Sequence, residues 1–180
     1  FTLVGATTKA SVLSAPLRSR FGAIFRLDYY GVSDIKQIIK RSANILGVSV
    51  TDGALDERAC ASRFTPRVAN RLLRRTRDYA QVHGSGAIDE VVVRNALDML
   101  EVDGQGLDST DRRLLDIIIK KFDGGPVGLQ TLGAALHEEP ATIEDVYEPH
   151  LIGIGFLDRT RSGRVVTSAG YRHLGYEGDK

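Results

Sequence analysis

The 180-residue sequence contains no tryptophan, one methionine and one cysteine, Cys60. A single cysteine cannot form an internal disulfide, which excludes the disulfide-stapled secreted class and favours the reducing cytoplasm. Cys60 stands between two alanines in a predicted helix, so we expect it to be a small buried apolar residue. The four histidines are scattered and show no metal-ligand spacing with Cys60, which predicts that the chain holds no transition metal.

Long apolar runs are also missing. No stretch approaches the roughly 20 apolar residues that a membrane helix requires, and we expect no membrane association. No charged-then-apolar leader opens the chain, and its first residue is Phe1 rather than Met, so we expect part of a longer protein. The phosphate-binding motif Gly-x-x-x-x-Gly-Lys-[Ser/Thr] does not occur either, which predicts that this part alone does not hydrolyse ATP.

Charge is unevenly distributed along the chain. The net charge is only +1, yet residues 1–101 hold 15 Lys and Arg against 10 Asp and Glu, a net +5. Residues 102–180 hold 9 against 13, a net −4. This asymmetry predicts at least two domains of different electrostatic character.

Hydrophobic spacing indicates a mainly α chain. The apolar, β-prone residues 1–6 predict one buried strand. Helical periodicity, with caps such as Ser33 and Thr65, predicts a small bundle of four helices over about 33–46, 53–63, 66–80 and 89–100. The polar, glycine-rich residues 102–108 are predicted to be a linker. A winged-helix arrangement follows, with helices over about 109–122, 128–137 and 142–154 and a hairpin over 156–160 and 164–167.

Two threonines and two arginines follow the predicted strand. Thr7 and Thr8 stand at its end, where α/β sheets bind ligands and a hydroxyl can orient a water or a phosphate oxygen. Arg18 and Arg20 follow a short polar loop, and their guanidinium forks match phosphate geometry. Taken singly, the simpler interpretations are β-branched residues ending a strand and arginines in surface salt bridges. The combination favours a phosphate site.

Arg67 lies in the first turn of the helix that Thr65 and Pro66 introduce. Free backbone N–H groups favour an anion at that end, and a cation there is otherwise mildly unfavourable, which indicates an anionic ligand. The other arginines of this region are uninterrupted by Asp or Glu, and they are Arg58, Arg63, Arg71, Arg74, Arg75 and Arg77. Those from Arg71 onward are predicted to form a solvated or interface face, with direct DNA contact as the alternative.

Three arginines, Arg159, Arg161 and Arg164, lie in and beside the predicted hairpin turn. Such a turn can clamp phosphates or enter a minor groove, and a soluble hairpin tip is the alternative. The preceding helix is acidic, with Glu138, Glu139, Glu144, Asp145 and Glu148. Acidic side chains repel the DNA backbone, so we expect non-specific contact by the wing rather than base reading by this helix.

The motifs, taken in order, resemble the RuvB family of bacterial Holliday-junction branch-migration motors, which are AAA+ ATPases. The matching stretches are Gly-Ala-Thr-Thr at 5–8, Ala-Pro-Leu-Arg-Ser-Arg-Phe-Gly at 15–22, Thr-Pro-Arg-Val-Ala-Asn-Arg-Leu-Leu-Arg-Arg at 65–75, Gly-Gly-Pro-Val-Gly-Leu at 124–129 and Thr-Ile-Glu-Asp-Val-Tyr-Glu-Pro at 142–149. The resemblance implies the end of an AAA+ α/β core over 1–24, a helical lid over 25–101, a linker over 102–108 and a winged-helix DNA-binding domain over 109–180.

The resemblance also implies roles for single residues. Thr8 corresponds to the sensor-1 residue and Arg20 to the arginine finger that acts on a neighbouring subunit's nucleotide, with Arg18 as the alternative. Tyr30 corresponds to a tyrosine at the adenine nucleotide and Arg67 to the sensor-2 arginine. Arg159 and Arg164 correspond to winged-helix arginines implicated in duplex contact.

The family further implies ATP or ADP with Mg²⁺ as cofactor, a homo-hexamer, duplex DNA at Holliday junctions and a RuvA-type junction-binding partner. The sequence departs from the family pattern at Phe64, where a glycine is usual, at Lys9 and Ser11 after sensor 1, and at Pro140, where an arginine is common. The rival hypotheses are a non-enzymatic winged-helix regulator with a helical interaction domain and a clamp-loader subunit. A clamp loader carries a helical collar instead of a winged helix.

Overall fold

The computed structural model describes residues 1–8, 10–84 and 86–176. Lys9 and Ser85, on which sequence predictions fall, lie outside the described residues, as does the side chain of Ser11.

The predicted strand over residues 1–6 is absent, and this prediction was wrong for the described structure. The segment is irregular, and Phe1, Leu3 and Val4 are exposed. A strand exists only through hydrogen bonds to a neighbouring strand. Within the described residues the only sheet is a hairpin near the other end of the chain, so residues 1–6 have no partner strand. The apolar pattern of residues 1–6 indicates that they tend to be buried. The hydrogen bonds that make a strand have to be supplied by a second segment.

The four predicted helices of the first half are confirmed to within about one turn. After a 3-10 turn (Ala10–Val12) and a short helix α1 (Ala15–Arg18), the bundle consists of α2 (Val32–Ile45), α3 (Asp52–Ala61), α4 (Pro66–His83) and α5 (Glu90–Met99). Helices α3 and α5 begin where the side chains of Thr51 and Asp89 accept backbone N–H bonds. The bundle's core includes Ile35, Ile39, Leu72, Leu73 and Val93.

Helix α3 presents an unexpected residue to this core. Arg58 is fully buried, and its Nη2 donates to the Leu72 carbonyl oxygen at 2.9 Å. Burial lowers the pKa of the Arg58 guanidinium to about 9, which still leaves it charged at neutral pH. Cys60, in contrast, is exposed, so its predicted burial was wrong. It lies one turn after the exposed Asp56, on the opposite side of α3 from Arg58.

The second half is a winged helix, as predicted. Its elements are α6 (Ser109–Phe122), α7 (Leu129–Leu136), α8 (Pro140–Thr142), a π-helical turn (Ile143–Tyr147), α9 (Glu148–Gly153), β1 (Leu157–Arg159), β2 (Arg164–Val166) and α10 (Ser168–His173). Strands β1 and β2 are antiparallel, with Arg159 opposite Arg164. Val127 pairs with Arg164 on the other side, which adds a third strand position. The six-residue helix α10 was not predicted.

Phe64 occupies a backbone conformation that suits glycine. Arg63 and Phe64 have φ values of 52° and 53°, in the left-handed region. This region costs a residue with a Cβ about 1–2 kcal/mol, and glycine adopts it freely. The departure of Phe64 from the family's usual glycine therefore stores strain just before α4.

We expect Phe64→Gly to exceed Phe64→Ala in free energy of unfolding by about 1 kcal/mol, because both variants lose the ring and only glycine relieves the left-handed strain. Urea unfolding of both variants measures the difference. Arg74→Gly and Arg74→Ala, at an exposed position inside α4, are the control. There alanine should be the more stable by about 1 kcal/mol. Equal stability of the two Phe64 variants would contradict the assignment of strain.

Candidate nucleotide and DNA contacts

The start of α4 is open to an anion. Its N-cap, Thr65, makes no side-chain bond to the helix, Pro66 occupies the first turn, and that turn contains no acidic residue. Arg67 is exposed in the same turn. Unpaired N–H groups, the positive end of the helix dipole and an exposed guanidinium therefore meet at this point. The arrangement fits a phosphate group, which is the part of a nucleotide that a lid arginine would contact.

The structure brings Tyr30 to the same place. The Tyr30 backbone N–H donates to the Phe64 carbonyl oxygen at 3.2 Å, which ties the residues before α2 to the residues before α4. Tyr30 is half-exposed, so its ring has a free face. Two of the residues predicted at the nucleotide, Tyr30 and Arg67, thus lie at one end of the helical bundle.

Thr8, Arg18 and Arg20 lie on a separate, exposed segment. Arg18 ends α1, and Arg20 follows it in a turn whose backbone N–H bonds to the Leu17 carbonyl oxygen at 3.2 Å. The hydroxyl of Ser19 bonds to the Pro16 carbonyl oxygen at 3.0 Å and closes the turn. Both guanidinium groups are exposed to solvent. The described residues therefore do not bring Arg18 and Arg20 together with Tyr30 and Arg67 in one site.

The face of α4 that follows Arg67 is strongly basic. Arg71, Arg74 and Arg75 are exposed, and none has an ion pair with a described residue. Arg71 and Arg75 border a cleft of about 290 Å³ whose apolar lining includes Val68, Leu72 and Leu100. The prediction of a solvated or interface face is therefore compatible with their positions.

The wing is a tight turn with one free arginine at its tip. The Thr160 backbone N–H and the Thr160 hydroxyl both donate to the Gly163 carbonyl oxygen at 2.8 Å. Gly163 has φ 141°, and a Cβ there would lie 2.4 Å from the Val127 carbonyl oxygen, so glycine is required. Arg161 is exposed between these two residues and makes no ion pair with any described side chain. It is the wing guanidinium best placed for a phosphate.

The other two wing arginines are held by the acidic helix that precedes them. Arg159 forms an ion pair with Glu144 at 2.8 Å, and both side chains are partly exposed. Arg164 donates to Glu148 at 2.6 Å from Nε and 3.2 Å from Nη2, with side-chain exposures of only 9% and 2%. The predicted DNA contact by Arg164 is therefore corrected. Its guanidinium is buried in a two-pronged pair and supports the domain from inside.

Sequence reasoning missed the residue that joins the two halves. Arg63 donates from Nε to the Gly106 carbonyl oxygen at 2.8 Å and from Nη2 to Asp108 at 3.0 Å, and it also pairs with Asp111. Asp108 and Asp111 form a capping box at the start of α6. The pattern Asp-x-x-Asp before an apolar run was visible in the sequence. The guanidinium 45 positions upstream that faces it was not.

Burial raises the pKa of Asp111 to about 6, against the opposing effects of the Asp108 backbone N–H bond and of Arg63. Arg63, Asp108 and Tyr147 are the charged or titratable groups that interact with Asp111 here. A carboxyl group with a higher pKa in the folded chain binds a proton that the unfolded chain releases. Folding therefore gains stability from Asp111 as the pH falls from about 6 toward the ordinary value of 3.8.

We expect Asp111→Asn to remove this contribution. Between pH 6 and pH 4, the free energy of unfolding of the unaltered chain should rise relative to that of the variant as the pH is lowered. Urea unfolding of both proteins across this range measures the difference in their free energies of unfolding. The exposed Asp98→Asn is the control for the change in formal charge. Parallel pH profiles for the unaltered chain and Asp111→Asn would refute the raised pKa.

Neither a membrane span nor a metal cluster occurs among the described residues. No helix in that part of the chain has the length and apolar character to cross a bilayer. No group of three or more His, Cys, Asp or Glu side chains within the same residues is arranged to hold a metal ion.

Comparison with known proteins gives matches along nearly the whole chain. Residues 30–103 match the family described as the RuvB AAA lid domain, and residues 104–175 match the RuvB C-terminal winged helix domain. The Holliday junction branch migration complex subunit RuvB of Koribacter versatilis is 59% identical over 177 residues, which are 98% of this chain and 48% of that protein. The protein of the same name from Dehalococcoides mccartyi is 57% identical, and the match covers 100% of this chain and 52% of that protein.

Solved structures match equally well. The Thermotoga maritima RuvB Holliday junction branch migration motor is 46% identical, with a TM-score of 0.89 over 94% of this chain and 57% of that one. A mutant of Thermotoga maritima RuvB is 48% identical, with a TM-score of 0.93 over 99% of this chain and 60% of that one. The chain spans about half the length of the curated relatives it matches.

Proposed function

Because the chain belongs to the RuvB family, we propose that it is the C-terminal part of a cytoplasmic, ATP-driven motor that moves Holliday junctions along DNA. The observation that most supports this is the succession of a RuvB lid domain and a RuvB winged-helix domain within one chain, at 59% and 57% identity to curated RuvB proteins. Membership of the family indicates the activity. The start of α4 and the tip of the wing indicate which residues contact nucleotide and DNA.

The exposed apolar surface at the start of the chain supports a missing AAA+ core. Phe1, Val4, Phe25 and Leu27 are each more than four-fifths exposed, and Ile24 is 74% exposed. Apolar side chains of this size are more stable against another protein surface than against water. We propose that they pack on the α/β core that carries the P-loop, with residues 1–24 as its last part.

Each predicted nucleotide residue then has a definite task. Arg67 and Tyr30 would hold an adenine nucleotide from the lid side, and ATP with Mg²⁺ would supply the free energy by phosphoryl transfer. Thr8 would report on the same subunit's phosphate groups. Arg20, exposed on its turn, would stabilise charge on a nucleotide of the neighbouring subunit in a hexameric ring.

The wing would follow duplex DNA without reading its sequence. Arg161 is exposed at the tip and pairs with no described side chain. Arg159 can exchange its exposed Glu144 pair for a phosphate at little cost, since such pairs contribute about 0–1 kcal/mol. Contacts to phosphate carry no base information, which suits a motor that must travel over any sequence. A RuvA-type protein would recognise the junction itself.

The proposal is tested on the full-length protein with the double variant Arg159→Ala, Arg161→Ala. Removing each phosphate contact should reduce the slope of log binding constant against log salt by about 0.9. Duplex binding measured over a salt series gives this slope, and the exposed Arg113→Ala on α6 is the control for loss of a positive charge away from the wing. An unchanged slope would remove the wing from the DNA interface. An intact protein without DNA-stimulated ATP hydrolysis would refute the motor.

A further inference from the structure

The segment between the two halves, residues 101–108, is fixed in place rather than a free tether. Leu107 is fully buried in the winged-helix core. The Asp103 carboxylate accepts from the backbone N–H groups of Gln105 and Leu107, each at 2.9 Å. Residues 102–108 of this segment were predicted as a linker because they are polar and rich in glycine. Its conformation is nevertheless determined by its own hydrogen bonds and by its neighbours.

Arg63 holds this segment from the lid side. Its side chain is only 16% exposed, and its fork reaches a backbone oxygen and two carboxylates at once: Gly106, Asp108 and Asp111. Asp111 is fully buried. Hydrogen bonds between a guanidinium and carboxylates are among the strongest in proteins, and the fork fixes direction as well as distance.

The winged-helix domain holds the same segment from the other side. Arg112 of α6 donates to the Leu107 carbonyl oxygen at 3.0 Å and to the Glu101 carbonyl oxygen at 2.9 Å. The His150 ring lies 2.9 Å from the Gln105 carbonyl oxygen, and the His173 ring lies 2.8 Å from Asp103. Residues 101–108 are therefore clamped between Arg63 on the lid and three side chains of the winged helix.

These polar contacts matter for the connection between the lid and the winged helix because the two domains pack little against each other directly. In the described part of the chain, no helix of α2–α5 makes an extensive contact with α6–α9. The cleft of about 290 Å³ lies beside the clamp and is lined by Arg63, Gly106 and Asp108 as well as by lid side chains. Arg63 therefore ties the lid to the segment that the winged helix holds from its other side, and so contributes to the angle between the two domains.

The position of Arg63 in the chain connects the clamp to the nucleotide end of the lid. Arg63 and Arg67 stand four residues apart, on either side of the point where α4 begins. Between them, the strained Phe64 receives the hydrogen bond from Tyr30. Any displacement of the α4 terminus by a nucleotide phosphate therefore reaches Arg63 through three intervening residues of fixed geometry.

We propose that Arg63 is a positioning residue that transmits nucleotide-dependent movement of the lid to the winged helix, an inference that rests on the proposed motor function. Arg63 contacts neither nucleotide nor DNA in this role. It sets the angle at which the wing meets the duplex when the start of α4 moves. A free linker would let ATP turnover continue without moving the DNA.

The functional test uses the full-length protein with Arg63→Ala, Arg63→Lys and Asp108→Asn, the last of which keeps the helix cap and removes one charge of the clamp. ATP hydrolysis and branch migration are measured in parallel. We expect Arg63→Ala to hydrolyse ATP at nearly the unaltered rate and to migrate at least about tenfold less DNA per ATP, because even one of the charge-assisted hydrogen bonds that it loses corresponds to a factor of about ten. Arg63→Lys should recover part of the loss, and Asp108→Asn should lie between. Arg71→Ala, an exposed arginine beside the same cleft, is the matched control and should leave the ratio unchanged.

A distance measurement tests the clamp separately from the motor. Spin labels at the exposed Cys60 and at Ser162→Cys on the wing tip report the angle between the halves, in labelled protein diluted with unlabelled subunits. We expect one narrow distance distribution for the unaltered protein and a broad one for Arg63→Ala. A narrow distribution in Arg63→Ala, or an unchanged amount of DNA moved per ATP, would overturn the proposal. If the unaltered protein migrates no DNA, the proposed function fails and the coupling role fails with it, while the distances still decide whether the clamp exists.

Discussion

Replacement of Arg20 by alanine in the full-length protein should abolish DNA-stimulated ATP hydrolysis while leaving nucleotide binding largely intact. An arginine that stabilises charge in phosphoryl transfer is worth about 10³–10⁵ in turnover. The guanidinium of Arg20 is exposed on a turn closed by local hydrogen bonds, so its removal deletes the charge without disturbing a core. Steady-state ATP hydrolysis with and without duplex DNA, together with equilibrium binding of a fluorescent nucleotide, measures the two effects.

Arg18→Ala is the matched control for Arg20→Ala. Both arginines belong to one turn and both are exposed, and the proposal assigns the catalytic effect to Arg20 alone. Normal turnover in Arg20→Ala would refute the finger assignment, and loss of turnover in Arg18→Ala instead would transfer it to the neighbouring residue.

Mixed rings test whether Arg20 acts on another subunit. Arg20→Ala subunits keep their own P-loop, and subunits with a disabled P-loop keep Arg20. If the arginine works across the interface, a mixture of the two inactive variants contains composite sites and recovers part of the ATP hydrolysis. A mixture as inactive as its components would show that Arg20 does not complete a neighbour's site.

The second large effect is on stability. Glu148→Gln should lower the free energy of unfolding of the winged-helix domain by about 3–5 kcal/mol, because it leaves the buried Arg164 guanidinium without its counter-charge. Urea unfolding followed by circular dichroism measures the loss. Arg164 also pairs through its backbone with Arg159 and Val127, so disorder at this point would reach all three strand positions of the wing.

Glu144→Gln is the control for Glu148→Gln, since it breaks a pair of the same chemistry between the same two segments. That pair is about half exposed, and its loss should cost at most about 1 kcal/mol. The double variant Glu148→Leu, Arg164→Met should be far less destabilised than Glu148→Gln, because no buried charge remains. Equal effects of Glu144→Gln and Glu148→Gln would refute the structural role given to Arg164.

The candidate site was only partly predictable. Arg67 could be found because its signal is local: Thr65 and Pro66 mark a helix start, and a cation beside free N–H groups points to an anion. The three wing arginines show the limit of such signals. Their sequence context is one short turn, yet Arg161 is free, Arg159 is loosely paired and Arg164 is buried with Glu148. Which arginine meets which glutamate depends on how the acidic helix packs against the hairpin.

The sequence by itself determined the longer helices, because caps, periodic apolar positions and stop signals act within one or two turns of chain. It also determined the winged-helix order of elements and the family that the chain resembles. Only the tertiary structure decided which polar side chains are buried and which groups they bond to. Arg58 bonds to Leu72, and Arg63 reaches Asp108 and Asp111 more than forty residues away. The strand predicted at residues 1–6 failed for the same reason. Pairing is a property of two segments brought together in space, and the apolar, β-prone pattern of one segment carries no information about its partner.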